Sequence, residues 1–238
     1  MWSRLMEPSQ LTLVSGPRSH TRALGQELAH FALGEQAGRT VLWCDGDHGF
    51  NPYDFAELNL ERGRSADWGA DRLLVKRCMT PFQWDTVLTR HLDEKLMAQD
   101  ASLVLAAPYE DLFSTDELQD WEREDYIDYS LAHLKDLARR FAVLIVIAVD
   151  MARWCAVNPL MAWKAFEAAH ARFGVERAAD GWRAFEVSGG DFAGGAPQRQ
   201  RTLAEYVPAV RLPAVRVATV PVPRGRVPAG AGAVEREA

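Results

Sequence analysis

The chain has 238 residues, 48% of them hydrophobic, a length that suits one α/β domain with extensions or two small domains. Its formal net charge of −6 gives no overall attraction to nucleic acid or to an anionic membrane, so such a contact requires a local patch. The three cysteines are widely spaced and indicate reduced thiols, and the longest apolar run, residues 141–149, is far shorter than the roughly 20 residues of a membrane span. We therefore expect a soluble, cytoplasmic protein.

The N-terminal part of the chain predicts a strand, a turn, a helix and a second strand. Leu11–Ser15 has the apolar character of a strand, and Gly16–Arg22 is predicted to be a turn that leads into a helix ending near Leu33. A second buried strand, 41–44, ends in the segment Asp45–Asp47. A glycine turn between a strand and a helix is the arrangement of loops that bind phosphate.

The alternation of strands and helices continues to residue 150 and predicts a doubly wound, mostly parallel α/β sheet. The further predicted helices are Tyr53–Leu60, Thr80–Met97, Ile127–Phe141 and Pro159–Ala171, and the further strands are 73–75, 102–106 and 143–147. Asp180-Gly181 predicts a C-terminal hairpin at the edge of the sheet. Residues 1–190 are predicted to form the core domain, and 191–238 a partly disordered extension rich in proline, glycine and arginine.

The order of these elements resembles the ATPase core of the RecA/RadA recombinase family over roughly residues 10–187. The family loop has the form GxxxxGK[ST]; Gly16 matches its first glycine, while Thr21 and Arg22 replace the second glycine and the lysine. Ala23 stands where the family has a hydroxyl residue. The resemblance implies a RecA-like fold and a set of candidate nucleotide-binding residues: Gly16, Ser19, His20, Thr21, Arg22, Ala23 and Asp150.

Carboxylates at the ends of predicted strands are the other part of this resemblance. Asp47 falls at the position of the family's water-activating glutamate and is the candidate catalytic residue, and Asp45 is the candidate metal ligand. Asp150 takes the place of a polar sensor, whereas Ala107 stands where a magnesium-linked aspartate is expected. The alternative interpretation is that these carboxylates only accept hydrogen bonds from loops and helix starts. His48, beside them, is either a loop residue or a ligand or base.

The departures from the family motif weaken the expected nucleotide chemistry. Thr21 is β-branched and resists the backbone conformation that a glycine permits. Arg22 keeps the charge of the lysine but not its compact shape. Without a hydroxyl at Ala23 and a carboxylate at Ala107, both customary protein anchors for Mg²⁺ are lost. We expect weak or vestigial ATP binding, and the resemblance argues against a bound Mg²⁺.

The segments that correspond to the family's DNA-binding loops differ in charge. Residues 114–126 are strongly acidic and would repel the phosphates that drive nucleic-acid binding. Near residues 152–162, Arg153 and Trp154 offer charge and stacking, although packing of Trp154 and Trp163 in the core is the alternative explanation. The arginine-rich extension is either a solvated tail or a contact for nucleic acid or a partner.

Three functions follow from these observations. The first is an accessory protein of DNA recombination or repair that does not hydrolyse ATP and binds a protein partner, such as a recombinase, a polymerase or a second copy. The second is a divergent DNA-dependent ATPase in which Arg22 binds phosphate and Asp47 orients the water. The third is a nucleic-acid-binding module that uses the basic C-terminal segment. In the first and third, DNA is also a possible partner.

Overall fold

The computed structural model describes residues 8–187, apart from 37, 47, 108–109, 114–117, 158 and 179–180. Within these residues one seven-stranded sheet has the order β3-β2-β4-β5-β1-β6-β7. The strands are β1 (Leu11–Ser15), β2 (Thr40–Asp45), β3 (Leu73–Arg77), β4 (Ala101–Ala107), β5 (Leu144–Val149), β6 (Ala171–Ala178) and β7 (Gly181–Glu186). All neighbouring strands are parallel except β6 and β7. The prediction of a mostly parallel sheet with a C-terminal hairpin is therefore confirmed.

The central strands are apolar along their whole length because helices cover both faces of the sheet. Every residue of β4 and β5 is buried, as expected for parallel strands in the middle of a doubly wound sheet. One face packs against α1 (Arg18–Glu35) and α2 (Pro52–Glu61). The other face packs against α3 (Pro81–Thr86), α4 (Asp93–Ala98), α5 (Asp120–Phe141), α6 (Met151–Val157) and α7 (Pro159–Ala168).

The sequence predicts one long helix from Thr80 to Met97, and the structure has a continuous helical segment there with a π-helical part between α3 and α4. Thr80 is the N-cap, and its hydroxyl oxygen accepts a hydrogen bond from the backbone N–H of Gln83 at 3.2 Å, as the sequence suggests. Residues Val87–Leu92 then form a π-helical segment before α4 begins. A short 3₁₀ turn, Glu110–Phe113, follows β4.

Two helices begin earlier than the sequence predicts. Helix α1 begins at Arg18, so most of the predicted turn Gly16–Arg22 is helical. Helix α5 begins at Asp120 rather than Ile127. Its start carries a capping box, in which Glu122 accepts a hydrogen bond from the Gln119 N–H at 2.8 Å. Glu122, Glu124 and Asp125 therefore lie in the first turns of a helix, where its dipole favours negative charge.

The parallel strands bring several chain segments together at one edge of the sheet. β1, β2, β4 and β5 all end at this edge, and Asp150 follows β5 directly. The helices α1, α2 and α6 begin there. This is the position at which open α/β sheets bind ligands. The predicted extension 191–238 lies outside the described residues.

Candidate functional site

The turn between β1 and α1 consists of Gly16 and Pro17 alone. The Gly16 N–H donates to the Val149 carbonyl at 3.2 Å. A Cβ atom on Gly16 would lie 2.5 Å from the carbonyl oxygen of Val175 in β6, closer than such atoms can approach. Close packing against the backbone of β6 therefore requires glycine at this position, whether or not a ligand binds.

The first turn of α1 uses its own backbone donors. The N–H groups of His20 and Thr21 donate to the Pro17 carbonyl at 2.8 and 3.0 Å, as in the start of an ordinary helix. The N–H of Arg18 donates to Asp150 Oδ2 at 3.3 Å. Asp150 Oδ1 accepts from the N–H of Arg153 at 3.1 Å, so this carboxylate joins the starts of α1 and α6. An anionic side chain thus lies where a phosphate-binding loop would present its donors.

Asp45 is the fully buried carboxylate at the end of β2. Its Oδ1 accepts from the Gly49 N–H at 2.7 Å and its Oδ2 from the Phe50 N–H at 3.3 Å. The Arg77 guanidinium lies 3.4 Å from Oδ2. These contacts hold the turn in which His48 has a φ of 60°, a left-handed conformation that is uncommon outside glycine. The geometry is that of a loop anchor, and the metal role of Asp45 stays a prediction.

Five of the described candidate residues line one of two clefts, whereas Thr21, Asp45 and Asp150 line neither of them. Ser19, Arg22 and Ala23 line a polar cleft of about 730 Å³ between α1, the 48–52 turn, α2 and the hairpin, which we call the arginine cleft. Gly16 and His20 instead line a mostly apolar cleft of about 470 Å³ between β1, the hairpin and α6, which we call the hairpin cleft. The N-terminus of α1 lies between the two. Asp47, the candidate catalytic residue, lies outside the described residues.

Three arginines from distant parts of the chain give the arginine cleft its name. Arg22 belongs to α1, Arg77 ends β3, and Arg177 lies near the end of β6. Arg77 is fixed by the Asp45 contact and by a hydrogen bond from Nη2 to the Phe50 carbonyl at 2.9 Å. Four carboxylates line the same cleft: Glu27, Asp54, Glu57 and Glu61. The cleft therefore combines a cationic part at the strand ends with an acidic part between α1 and α2.

Gln26 is a member of this cleft that the sequence analysis missed. Its side chain is only 6% exposed, and Oε1 has no hydrogen-bond partner within the described residues. Gln26 lies four residues after Arg22 on α1, so both occupy one face of the helix. A polar residue three positions before Ala29 and seven before Leu33, two buried residues that share its face of the helix, was the available signal. Arg77, Arg177 and Trp182 were also missed, because only the folded sheet brings them to α1.

The hairpin cleft contains aromatic and aliphatic side chains with little charge. His20 packs edge-on against Trp182 with 6.0 Å between ring centroids, and its Nδ1 accepts from the Arg177 N–H at 3.4 Å. Burial raises the pKa of the Cys155 thiol, which lines this cleft. A neutral thiol is a poor nucleophile, so Cys155 has no sign of activation.

The remaining candidates lie in structural positions. Ala107 is buried at the end of β4, and its carbonyl accepts from the Gly46 N–H at 3.0 Å. Trp154 is fully buried, which confirms core packing at that position. Core packing is wrong for Trp163, which is 37% exposed and stacks on Phe166 at a centroid distance of 5.5 Å. Within the described part of the chain, no group of three or more His, Cys, Asp or Glu side chains has the arrangement of a metal site.

Neither the protein-family models nor the curated proteins give a relative for this chain: no family model matches it, and no curated protein is similar in sequence. None of the helices among the described residues is long and apolar enough to cross a membrane. What the fold defines is an α/β protein with a mostly parallel, doubly wound sheet.

Proposed function

We propose that this protein is a RecA/RadA-like paralogue that acts as an accessory protein in DNA recombination or repair without hydrolysing ATP. In this role it binds a protein partner, such as a recombinase, a polymerase or a second copy of itself. The order of strands and helices, from β1 to the hairpin, supports the relationship. The residues that depart from the family motif are those at its phosphate-binding and magnesium-binding positions.

The observation that carries the proposal is the state of the first turn of α1. An NTP-binding loop needs several backbone N–H groups that point at the phosphates, with a cation beside them. Here the N–H groups of His20 and Thr21 donate to Pro17, and the Arg18 N–H donates to the Asp150 carboxylate. A triphosphate at this position would have to displace a carboxylate that also caps α6. The same fold without a phosphate-binding loop is suited to binding a protein partner.

The open edge of the sheet at β3 is the surface we assign to the partner. Among the described strands, β3 pairs with β2 alone, so its outer backbone groups are available to an added strand. A groove of about 350 Å³ lies beside this edge, lined by Leu74, Val87 and Leu92 with Lys95 at its rim. An extended partner segment would gain main-chain hydrogen bonds from the strand and apolar contacts from the groove.

The first test is an assay of ATP turnover with Mg²⁺ and single-stranded DNA on the wild type and on Asp47→Ala. We expect no turnover above background in either protein. Turnover that disappears in Asp47→Ala would contradict the non-hydrolysing role.

The second test measures binding to purified recombinase and polymerase of the same cell with Leu74→Glu, which places a charge in the groove beside β3. We expect this variant to lose partner binding. Leu60→Glu is the matched control, because Leu60 is 60% exposed on α2, which packs on the opposite face of the sheet from Val87 and Leu92 of the groove. Equal loss in both variants would contradict the assignment of the β3 edge.

A divergent nucleotide-dependent ATPase is the second candidate, and the arginine cleft is the observation that favours it. Arg22 lines this cleft together with Ser19, so a nucleotide could use the flank of α1 rather than its end. This candidate predicts that Mg–ATP raises the melting temperature and that Arg22→Ala removes the effect. At a concentration about 100 times Kd, binding adds about 2.7 kcal/mol, a shift of a few degrees.

A further inference from the structure

We propose that the arginine cleft binds a small phosphomonoester without a metal ion, on the flank of α1, with its arginines on the phosphate and Gln26 on a hydroxyl or amino group of the ligand. The proposal concerns a small ligand and does not depend on the accessory role or on the partner. Its ligand is neither a triphosphate nor bound at the end of the helix.

The buried amide of Gln26 is the first reason. A buried carbonyl oxygen without a donor costs about 1–3 kcal/mol, and such groups are rare in folded proteins. Oε1 of Gln26 has no donor among the described residues, although the side chain lines an open cleft. It can accept a hydrogen bond but cannot contact an anion favourably. Oε1 itself is covered in this conformation, so a rotation of the amide group must accompany binding, and the complementary ligand carries an O–H or N–H donor that the rotated carbonyl can reach.

The arrangement of the arginines is the second reason. Arg22 lies one helical turn before Gln26 on α1, towards the strand ends, so a group bound by both residues must span about one turn. Arg77 is held in place by Asp45 and the Phe50 carbonyl, and Arg177 comes from the opposite side. Guanidinium groups match the geometry of phosphate oxygens and bind them through paired hydrogen bonds.

The negative charges of the same region restrict the ligand. Asp150 occupies the end of α1 and disfavours a second anion there. Glu57 and Glu61, together with Glu27, which is paired with Arg62 at 2.9 Å, line the part of the cleft between α1 and α2 and disfavour a ligand with negative charge along its length. A ligand with a single phosphate at the arginines, followed by a neutral or cationic part with a hydrogen-bond donor, matches both the cationic and the acidic part of the cleft. A chain of phosphates does not.

Calorimetric titration in buffer with EDTA tests the proposal directly, with inorganic phosphate, glucose 6-phosphate, AMP and ATP as probes. We expect at least one phosphomonoester to bind about ten-fold more tightly than inorganic phosphate, which is about 1.4 kcal/mol and the strength of one hydrogen bond. Glucose 6-phosphate and AMP distinguish a sugar phosphate from a nucleotide as the source of the phosphate. ATP should bind more weakly than the better of the two.

Three variants locate the ligand. Gln26→Leu should remove the advantage of the phosphomonoester but leave the affinity for inorganic phosphate, and Gln26→Glu should weaken both by adding a negative charge. Arg22→Ala should weaken both probes at least ten-fold. Arg90→Ala is the matched control, because Arg90 is exposed in the π-helical segment on the other face of the sheet. A shift in melting temperature without ligand identifies any variant that fails to fold.

Several outcomes would overturn the proposal. One is that no phosphomonoester binds more tightly than inorganic phosphate, and another is that Gln26→Leu and Gln26→Glu both bind like the wild type. Equal weakening by Arg22→Ala and Arg90→Ala would indicate unspecific charge attraction. Tighter binding to Asp150→Asn by ten-fold or more would place the ligand at the end of α1. None of these results depends on ATP turnover or on the partner at the β3 edge.

Discussion

The end of α1 and its flank differ in how their polar groups are satisfied. At the end, the turn is only two residues long, Gly16 packs against β6, and the Arg18 N–H has the Asp150 carboxylate as its acceptor. On the flank, Gln26 is buried in an open cleft without a donor for its carbonyl oxygen among the described residues. The polar groups at the end of the helix are thus satisfied within the protein, whereas its flank carries a buried acceptor for which we propose a ligand.

The largest effect is expected at Gly16. In Gly16→Ala the new Cβ meets the Val175 carbonyl at 2.5 Å, a backbone atom that cannot move without shifting β6. We expect a loss of about 3 kcal/mol in the free energy of unfolding, measured by urea denaturation. Gly34→Ala is the control, because its Cβ meets only Trp68 at 3.8 Å on the helix surface, and it should stabilise the protein by up to about 1 kcal/mol. If Gly16→Ala is as stable as the wild type, the packing argument for this glycine is wrong.

Asp45→Ala should have the next largest effect. The substitution removes the acceptor of two backbone N–H groups, at Gly49 and Phe50, and the buried partner of Arg77. We expect a loss of about 2 kcal/mol, smaller than for a wholly buried ion pair because Arg77 is 47% exposed and can be solvated. Thermal and urea unfolding measure the loss. Asp71→Ala, with an 82% exposed side chain, is the control and should change stability by less than about 0.5 kcal/mol. Equal stability of the two variants would contradict the role of Asp45 as an anchor.

Asp150→Ala tests the end of α1 itself. The carboxylate accepts hydrogen bonds from the N–H groups of Arg18 and Arg153. It therefore caps the N-termini of two helices, α1 and α6. Removal of a capping side chain typically costs about 1 kcal/mol, which we expect here as a decrease in the free energy of unfolding. Asp150→Asn should recover part of this loss because its amide oxygen can still accept. If Asp150→Ala is more stable than the wild type, the carboxylate lowers the stability of the fold, as a side chain placed for ligand binding would.

Sequence reasoning predicted the strands well and misplaced the starts of two helices, α1 and α5. A continuous apolar run such as residues 143–147 is typical of a parallel strand buried between two helical layers, and the structure has a fully buried strand there. Asp180-Gly181 is a strong local signal for a hairpin, and the flanking strands pair antiparallel. The start of α1 was misplaced because the resemblance to a phosphate-binding loop assigned residues 16–22 to a turn. The proline at position 17 was the contrary signal, since proline favours the beginning of a helix.

The site was predictable only in part, for a physical reason. Arg22 and Ser19 were selected through the loop motif, and both line the arginine cleft. Arg77 and Arg177 lie 100 positions apart in the sequence, and only the order of strands in the sheet brings them to the same cleft. No local sequence pattern predicts that two residues so far apart in the chain line the same cleft. Gln26 alone had a local signal, as a polar residue on the buried side of an amphipathic helix.

The smallest effect concerns His30, which follows Gln26 by one turn on α1 and also has a buried nitrogen, Nε2, without a partner in the described residues. Burial lowers the pKa of His30 below its ordinary value of 6.5, and the nearby Arg62 and Arg64 lower it further. Because the folded protein disfavours the charged imidazole, the neutral form contributes stability above pH 6.5 that is lost as the pH falls below this value. We expect the free energy of unfolding to decline below this pH in the wild type and to decline less steeply in His30→Gln. His91→Gln is the control for the substitution itself, since His91 is exposed in the π-helical segment on the opposite face of the sheet. Parallel pH profiles for the wild type and His30→Gln would mean that the folded protein does not disfavour the charged His30, which would limit the contrast with the end of the helix to Gln26.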